Sequence, residues 1–199
     1  MLFMSDDMGI NTMNAAAVHE KMTAEAYLQL PETMQPQHLI DGEIIDMPAP
    51  NLAHQEIILR LSSWLLNKLQ EIHGKVYISP TDVILDKTHI VQPDVLWVAE
   101  ERLSILDVNR VNGAPDFIAE VLSPSTARFD RRDKFRLYER HGVRELWFAD
   151  PAAHLIEVWR LDVGKFQFID AYGTGETFES ALFGAVEVNL IFPQPTPTA

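Results

Sequence analysis

From Leu52 to His73 the apolar residues Ile57, Leu61, Leu65 and Leu69 recur every four positions, with Ile58, Trp64, Leu66 and Ile72 alongside. That period is a long amphipathic helix, which Gly74 closes. A helix with one apolar stripe has to bury it against another layer. The segments after it read as strands. Lys75 to Ser79, Thr81 to Leu85 and Asp94 to Ala99 are short candidates, with Pro80 and Pro93 at edges where a missing donor is tolerated. Asp116 to Leu122 is a mostly apolar run of the kind that makes a central strand. Pro124 stops it, and Phe129 to His141 forms a second helix ending at Gly142.

Ahead of the long helix, Thr23 caps a short helix that Pro31 ends, and Leu39 to Met47 is a hairpin turning at Asp41-Gly42. Behind the second helix, Glu145 to Asp150 is another buried strand. Leu155 to Arg160 and Lys165 to Ala171 pair around Asp162-Val163-Gly164, and Val186 to Leu190 adds a last strand. The order predicts an α/β or α+β domain: a mixed central sheet flanked by helices, with additional hairpins. A chain of 199 residues supports one full core. Residues 1–21 carry no usable period and are expected to be disordered, as is the Pro-Thr tail over 193–199; the domain is expected over 22–192.

Two carboxylates stand out. Asp94 opens a strand directly after Gln92-Pro93, and Glu120 sits near the end of an apolar strand beside Val121 and Leu122. An ionised Glu among buried residues is costly unless paired or bound to a metal. The plainer reading is a strand-end carboxylate facing water or meeting an Arg. Asp130, Lys134 and Tyr138 follow at i, i+4 and i+8, on one helical face, so a lysine amine can reach the end of the Glu120 strand. Two carboxylates and a lysine are the parts of metal-assisted phosphodiester hydrolysis: hard oxygen ligands for Mg²⁺, with Mn²⁺ as a substitute, and a cation for charge on phosphate oxygens. Lys134 paired with Asp130 on a solvated helix is the simpler alternative.

Absent cysteine excludes disulfides, thiolate metal sites and cysteine nucleophiles. No apolar run approaches the ~20 residues of a membrane span, and no signal peptide is legible, so a cytoplasmic setting is expected. A formal charge of −13 argues against a protein that coats nucleic acid nonspecifically. Between Arg128 and Arg144, however, seven basic and three acidic residues give a local +4. Arg128, Arg131 and Arg132 are the candidate phosphate contacts; a salt-bridged exposed helix would carry the same pattern. No phosphate loop, His-Glu-x-x-His helix or Gly-x-Ser-x-Gly elbow is present.

At these residues the sequence resembles the Uma2 (DUF820-type) family of the PD-(D/E)XK restriction-endonuclease-like superfamily. The resemblance rests on an ordered set that covers roughly residues 22–192: Leu39-Ile40-Asp41-Gly42-Glu43-Ile44, Ala53-His54-Gln55, Pro80-Thr81-Asp82-Val83, Val91-Gln92-Pro93-Asp94-Val95, Gly113-Ala114-Pro115-Asp116, Glu120-Val121-Leu122-Ser123-Pro124-Ser125-Thr126 and Gly142-Val143-Arg144-Glu145-Leu146-Trp147. It implies a restriction-endonuclease-like fold, Asp94 as the first acid and Glu120 as the second, both on the metal. The superfamily's usual lysine, two residues after the second acid, is replaced here by Leu122, and Lys134 from the following helix is implied in its place. Glu43, His54, Gln92 and Tyr138 are further pocket candidates, His54 having capping or packing as its alternative. Asp82 reads as structural, and His38 as a packing residue.

The expected function is therefore an Mg²⁺-dependent endonuclease acting on DNA. The alternative is a nuclease-fold module that binds or regulates without turnover. Exposed sheet edges are compatible with a homodimer.

Overall fold

The computed structural model describes residues 21–31, 33 and 35–192, so the two expected disordered ends fall almost wholly outside the described residues. The long helix is α2 (Leu52–Ile72), whose buried Ile57, Ile58, Leu61, Trp64 and Leu65 form its apolar stripe. Its cap is Asn51, with Oδ1 accepting from the His54 N–H at 2.9 Å. The stripe lies on a six-stranded sheet made of β3 (Lys75–Ile78), β6 (Val95–Val98), β8 (Phe117–Val121), β9 (Glu145–Asp150), β10 (Leu155–Asp162) and β11 (Lys165–Gly173). Their order is β11-β10-β9-β8-β6-β3, with β8 and β9 parallel and the other pairs antiparallel.

The strand period of two decides what each face carries. Phe117, Ala119 and Val121 of β8 enter the core beneath α2, together with Trp97 and Trp147. Ile118 enters a second core on the opposite face. Glu120 shares that opposite face, which is why a carboxylate in the middle of an apolar run is not in the α2 layer.

The second core is closed by another sheet and by a helix. β1 (Gln37–Ile40), β2 (Glu43–Asp46), β4 (Asp82–Asp86), β5 (His89–Val91) and β7 (Arg110–Asn112) form a sheet ordered β2-β1-β5-β4-β7. The strands expected in one mixed sheet thus divide over two. The β1–β2 turn is the anticipated Asp41-Gly42, with φ of 51° and 75° and Ile40 paired to Glu43. A Cβ on Gly42 would lie 2.6 Å from Lys21 Cβ and 2.9 Å from the Met22 carbonyl oxygen, so both the turn and the close approach require glycine.

The helix after β8 has three parts: α3 (Ala127–Phe129), a π-helical turn over Asp130–Lys134, and α4 (Phe135–His141), ended by Gly142 at φ 84°. Its C-terminus is clasped to the second sheet. His141 Nε2 lies 3.1 Å from Asp86 Oδ2, His89 Nδ1 2.8 Å from Asp86 Oδ1, and His89 Nε2 3.3 Å from Asp41 Oδ1. Burial acts to raise the Asp86 carboxyl, but the Thr88 N–H and the two imidazoles outweigh it and hold it at about 2.

The expected last strand is a hairpin, β12 (Thr177–Ser180) with β13 (Gly184–Glu187), followed by a short 3₁₀ turn over Val188–Leu190. Buried Glu145 ties it to β9, accepting from Ser180 Oγ at 2.6 Å, Trp147 Nε1 at 2.8 Å and the Ala181 N–H at 2.9 Å. Among the described residues no helix is long and apolar enough to cross a membrane.

Candidate active site

Asp94 and Glu120 meet where β6 and β8 diverge. The β6–β8 ladder ends at Val95 paired with Ala119, and the preceding residue of the chain on the β6 side is Asp94, following a proline. The Val121 N–H therefore has no strand carbonyl opposite it, and Asp94 Oδ2 takes it at 2.7 Å. The same oxygen lies 3.1 Å from His54 Nε2, on the first turn of α2. Capping of that helix falls to Asn51, which leaves the His54 side chain to the acid.

Glu120 is 1% exposed and has both oxygens engaged. Oε2 accepts from Lys134 Nζ at 2.9 Å and Oε1 from the Tyr138 hydroxyl at 2.5 Å. Lys134 Nζ also lies 3.2 Å from Asp130 Oδ1, outside hydrogen-bonding geometry, so that oxygen is buried without a bond. On an α-helix, residues spaced by four advance by about 40° per step. The π turn, closed by the Phe135 N–H on the Asp130 carbonyl, is wider and offsets that advance, aligning Asp130, Lys134 and Tyr138 toward β8. Leu122, two residues after Glu120, is buried in the apolar core with Leu137 and Phe148.

Glu120 and Asp130 thus flank one ammonium, and Asp94 acts on it from farther away. Burial pushes the Glu120 carboxyl up to about 8; Lys134 pulls it down, and Asp94 and Asp130 push with the burial. Burial also acts against the Lys134 ammonium, but Glu120, Asp130 and Asp94 together outweigh it and raise its pKa above the ordinary lysine value. Tyr138 is raised by burial and by Glu120, so it stays a hydroxyl donor.

These groups line a cavity of about 430 Å³, whose wall includes Asp94, Glu120, Asp130, Lys134, His54 and Gln92. The second sheet supplies the other side. Gln92 Nε2 donates to Asp82 Oδ1 at 2.9 Å, which gives Asp82 the structural role expected of it. His38, read from the sequence as packing only, also lines the cavity. Its Nδ1 accepts the Gln92 N–H at 3.1 Å, its ring stacks on Phe129, and burial with nearby Lys134 keeps its pKa well below the usual value, hence neutral.

Other candidates are placed elsewhere. Glu43 is exposed on β2 and is not among the cavity residues, because its strand turns that side chain to the surface. Tyr138 stands behind Glu120, fully buried, rather than in the wall. Arg131 is held by both oxygens of Glu157, one at 2.8 Å, and lies over the Phe148 ring at 5.3 Å. Arg132 sits 3.3 Å from its neighbour Asp133, and Arg128 is exposed.

The donor chemistry fits a hard divalent cation. Asp94 and Glu120 offer carboxylate oxygens in the cavity wall, Mg²⁺ keeps several of its waters, and the excess of negative charge is of the right sign. Two residues of the same wall, Asp130 and Gln92, carry buried oxygens without a bond. Among the described residues, however, no three His, Cys, Asp or Glu side chains are gathered as a ready ligand set. Lys134 occupies Glu120 instead.

Residues 24–190 match a protein family, Uma2, described as "Putative restriction endonuclease". Two proteins of Synechocystis sp. are similar: sll1609, 28% identical over 170 residues covering 84% of this chain and 96% of that one, and slr1290, 33% identical over 134 residues covering 64% and 67%. A solved structure from Anabaena variabilis, described as a putative nuclease belonging to DUF820, superposes with a TM-score of 0.71 at 20% identity, covering 86% of this chain and 97% of that one. At that identity the likeness is one of fold.

Proposed function

The chain belongs to the Uma2 family, and from that premise we propose that it is an Mg²⁺-dependent endonuclease hydrolysing DNA phosphodiester bonds. One observation carries the reading: Asp94, Glu120 and Lys134, from a strand entrance, a strand end and a helix, converge on one cavity with an uncompensated negative charge. Asp94 and Glu120 would hold the ion. A bound Mg²⁺ supplies a more acidic water and neutralises charge on the phosphoryl group.

The protein's own groups do the rest. The Val121 N–H fixes the Asp94 carboxylate in one orientation, with His54 Nε2 beside the same oxygen. Lys134, cationic beside the acids, stabilises charge that develops on a phosphate oxygen. Ser123, Ser125 and Thr126 border the cavity as neutral donors suited to a phosphate or sugar. Because the whole chain carries −13, attraction for a polyanion has to be local, and exposed Arg128, Arg136 and Arg140 on the following helix supply it.

A second reading, a nuclease-fold module that binds without turnover, is favoured by the engagement of both Glu120 oxygens with Lys134 and Tyr138. Incubation of plasmid DNA with purified protein in Mg²⁺ or Mn²⁺ separates the two. Cleavage lost in Asp94→Asn and in Glu120→Gln is expected. Undiminished cutting by both folded variants would sink the nuclease assignment, and DNA binding without cutting in either metal would favour the module.

A further inference from the structure

We infer that Asp130 is a positioning residue, the acceptor onto which Lys134 moves when a divalent cation takes Glu120; this rests on the metal-dependent reading above. Each Glu120 oxygen already holds a donor, Tyr138 on Oε1 and Lys134 on Oε2. A cation drawn to Oε2 competes with the ammonium for it, and repulsion between the two positive charges drives the lysine off. Lys134 is 4% exposed, so water does not take over its ammonium, and a buried ammonium without a partner is strongly disfavoured.

Asp130 meets the need. It is 3% exposed, it lines the cavity, and its Oδ1 is a buried acceptor with no hydrogen bond, 3.2 Å from Lys134 Nζ. Both residues stand on the same wide turn, four positions apart, so a rotation at the end of the lysine side chain completes the bond without moving the helix. Lys134 remains cationic and its partner changes from Glu120 to Asp130; the ion gives up water for Glu120, which binds as the carboxylate and releases to solvent any proton it holds. The unsatisfied oxygen and the awkward 3.2 Å approach are what a group poised between two partners requires. They are unexplained if Asp130 is only a helix-surface mate for Lys134.

A competing role, Asp130 as a direct ligand, predicts a different pattern in a double-mutant cycle. Mn²⁺ alone is titrated by calorimetry into wild type, Asp130→Asn, Lys134→Met and the double variant, each checked for folding by circular dichroism. Groups that share one ion-pair network are coupled rather than independent. Asp130→Asn is therefore expected to weaken Mn²⁺ binding by about tenfold. Lys134→Met is expected to bind at least as tightly as wild type, and Asp130→Asn to change affinity less than about twofold in that background. Asp130→Glu, which keeps an acceptor, is expected to recover most of the loss. Should Lys134→Met not fold, Lys134→Gln takes its place in the cycle.

Equal weakening in both backgrounds would make Asp130 a ligand and overturn the inference. So would an Asp130→Asn affinity within twofold of wild type. Absence of Mn²⁺ binding in both wild type and Lys134→Met would remove the metal-dependent reading itself. Mn²⁺ binding that ignores Asp130 removes only the inference.

Discussion

Replacing Lys134 by Met takes the single ammonium from among three carboxylates, and the structure sets both the size and the pH course of the penalty. Lys134 and Glu120 are 4% and 1% exposed in their side chains, so solvent screening is slight. Breaking a buried pair by removing one partner costs roughly 3–5 kcal/mol. Near neutral pH a proton on Glu120 offsets part of this, because burial already holds its carboxyl up to about 8. The expected loss at pH 7 is therefore toward the low end, about 3 kcal/mol, or roughly 6–12 °C in Tm for a domain of this size. The sign with pH follows from linkage. A carboxyl with a raised folded-state pKa gives stability that is fully present below its unfolded value and is lost as pH rises through the folded value. In wild type the Glu120 contribution is spent by about pH 8. Without Lys134, the group that lowers it, Glu120 keeps its proton to higher pH, and the variant goes on losing stability where wild type has levelled. The gap should widen by up to about 1.4 kcal/mol per pH unit above pH 8. Thermal melts followed by circular dichroism in EDTA at pH 6, 7, 8 and 9 measure it, with Lys134→Met/Glu120→Gln as the control in which the widening disappears. A gap that is independent of pH, or that narrows above pH 8, would refute the coupling of these two groups.

Mn²⁺ affinity should climb as pH rises toward about 8 and then level, since the ion needs the carboxylate that burial holds in its acid form; calorimetry across pH 6–9 reads this directly, and Glu120→Gln should flatten the profile. Gly42→Ala should destabilise the fold by about 1–3 kcal/mol through a positive φ and the contact with Lys21 and Met22, measured by urea unfolding. Arg131→Ala should lower Tm through the lost Glu157 pair and Phe148 contact while leaving the salt dependence of DNA binding in place. Arg128→Ala should leave Tm unchanged and reduce that salt slope, as a fluorescence-anisotropy titration would report.

The long helix was legible because twenty-one residues repeat one period, and its ends moved little once Asn51 was recognised as the cap. Strands β8 and β9 were legible for the opposite reason: burial on both faces removes alternation and leaves apolar runs. The three-residue strands β5 and β7 are too short for any period to declare itself, and without them the second sheet cannot be told from a set of hairpins. Asp94 and Glu120 stood out as acids where apolar neighbours make acids costly. Glu43 and His38 show the limit of that argument. A four-residue hairpin strand does not say which face meets a cavity, and the outcome sent Glu43 to solvent and His38 to the wall. The spacing of Asp130, Lys134 and Tyr138 marked a common face, yet nothing in it announces a π turn. The missing bond on Asp130 is visible only in three dimensions.

The clasp at the end of α4 turns chain length into a measuring rule. His141 is anchored to Asp86 on one sheet, and Lys134, seven residues earlier, to Glu120 on the other. Each added or deleted residue in an α-helix swings what lies beyond it by about 100°. A single insertion between the two anchors would therefore release one or the other, whatever its chemistry. Substitutions on the exposed side of this segment are cheap, whereas its residue count is as fixed as any side chain at the site.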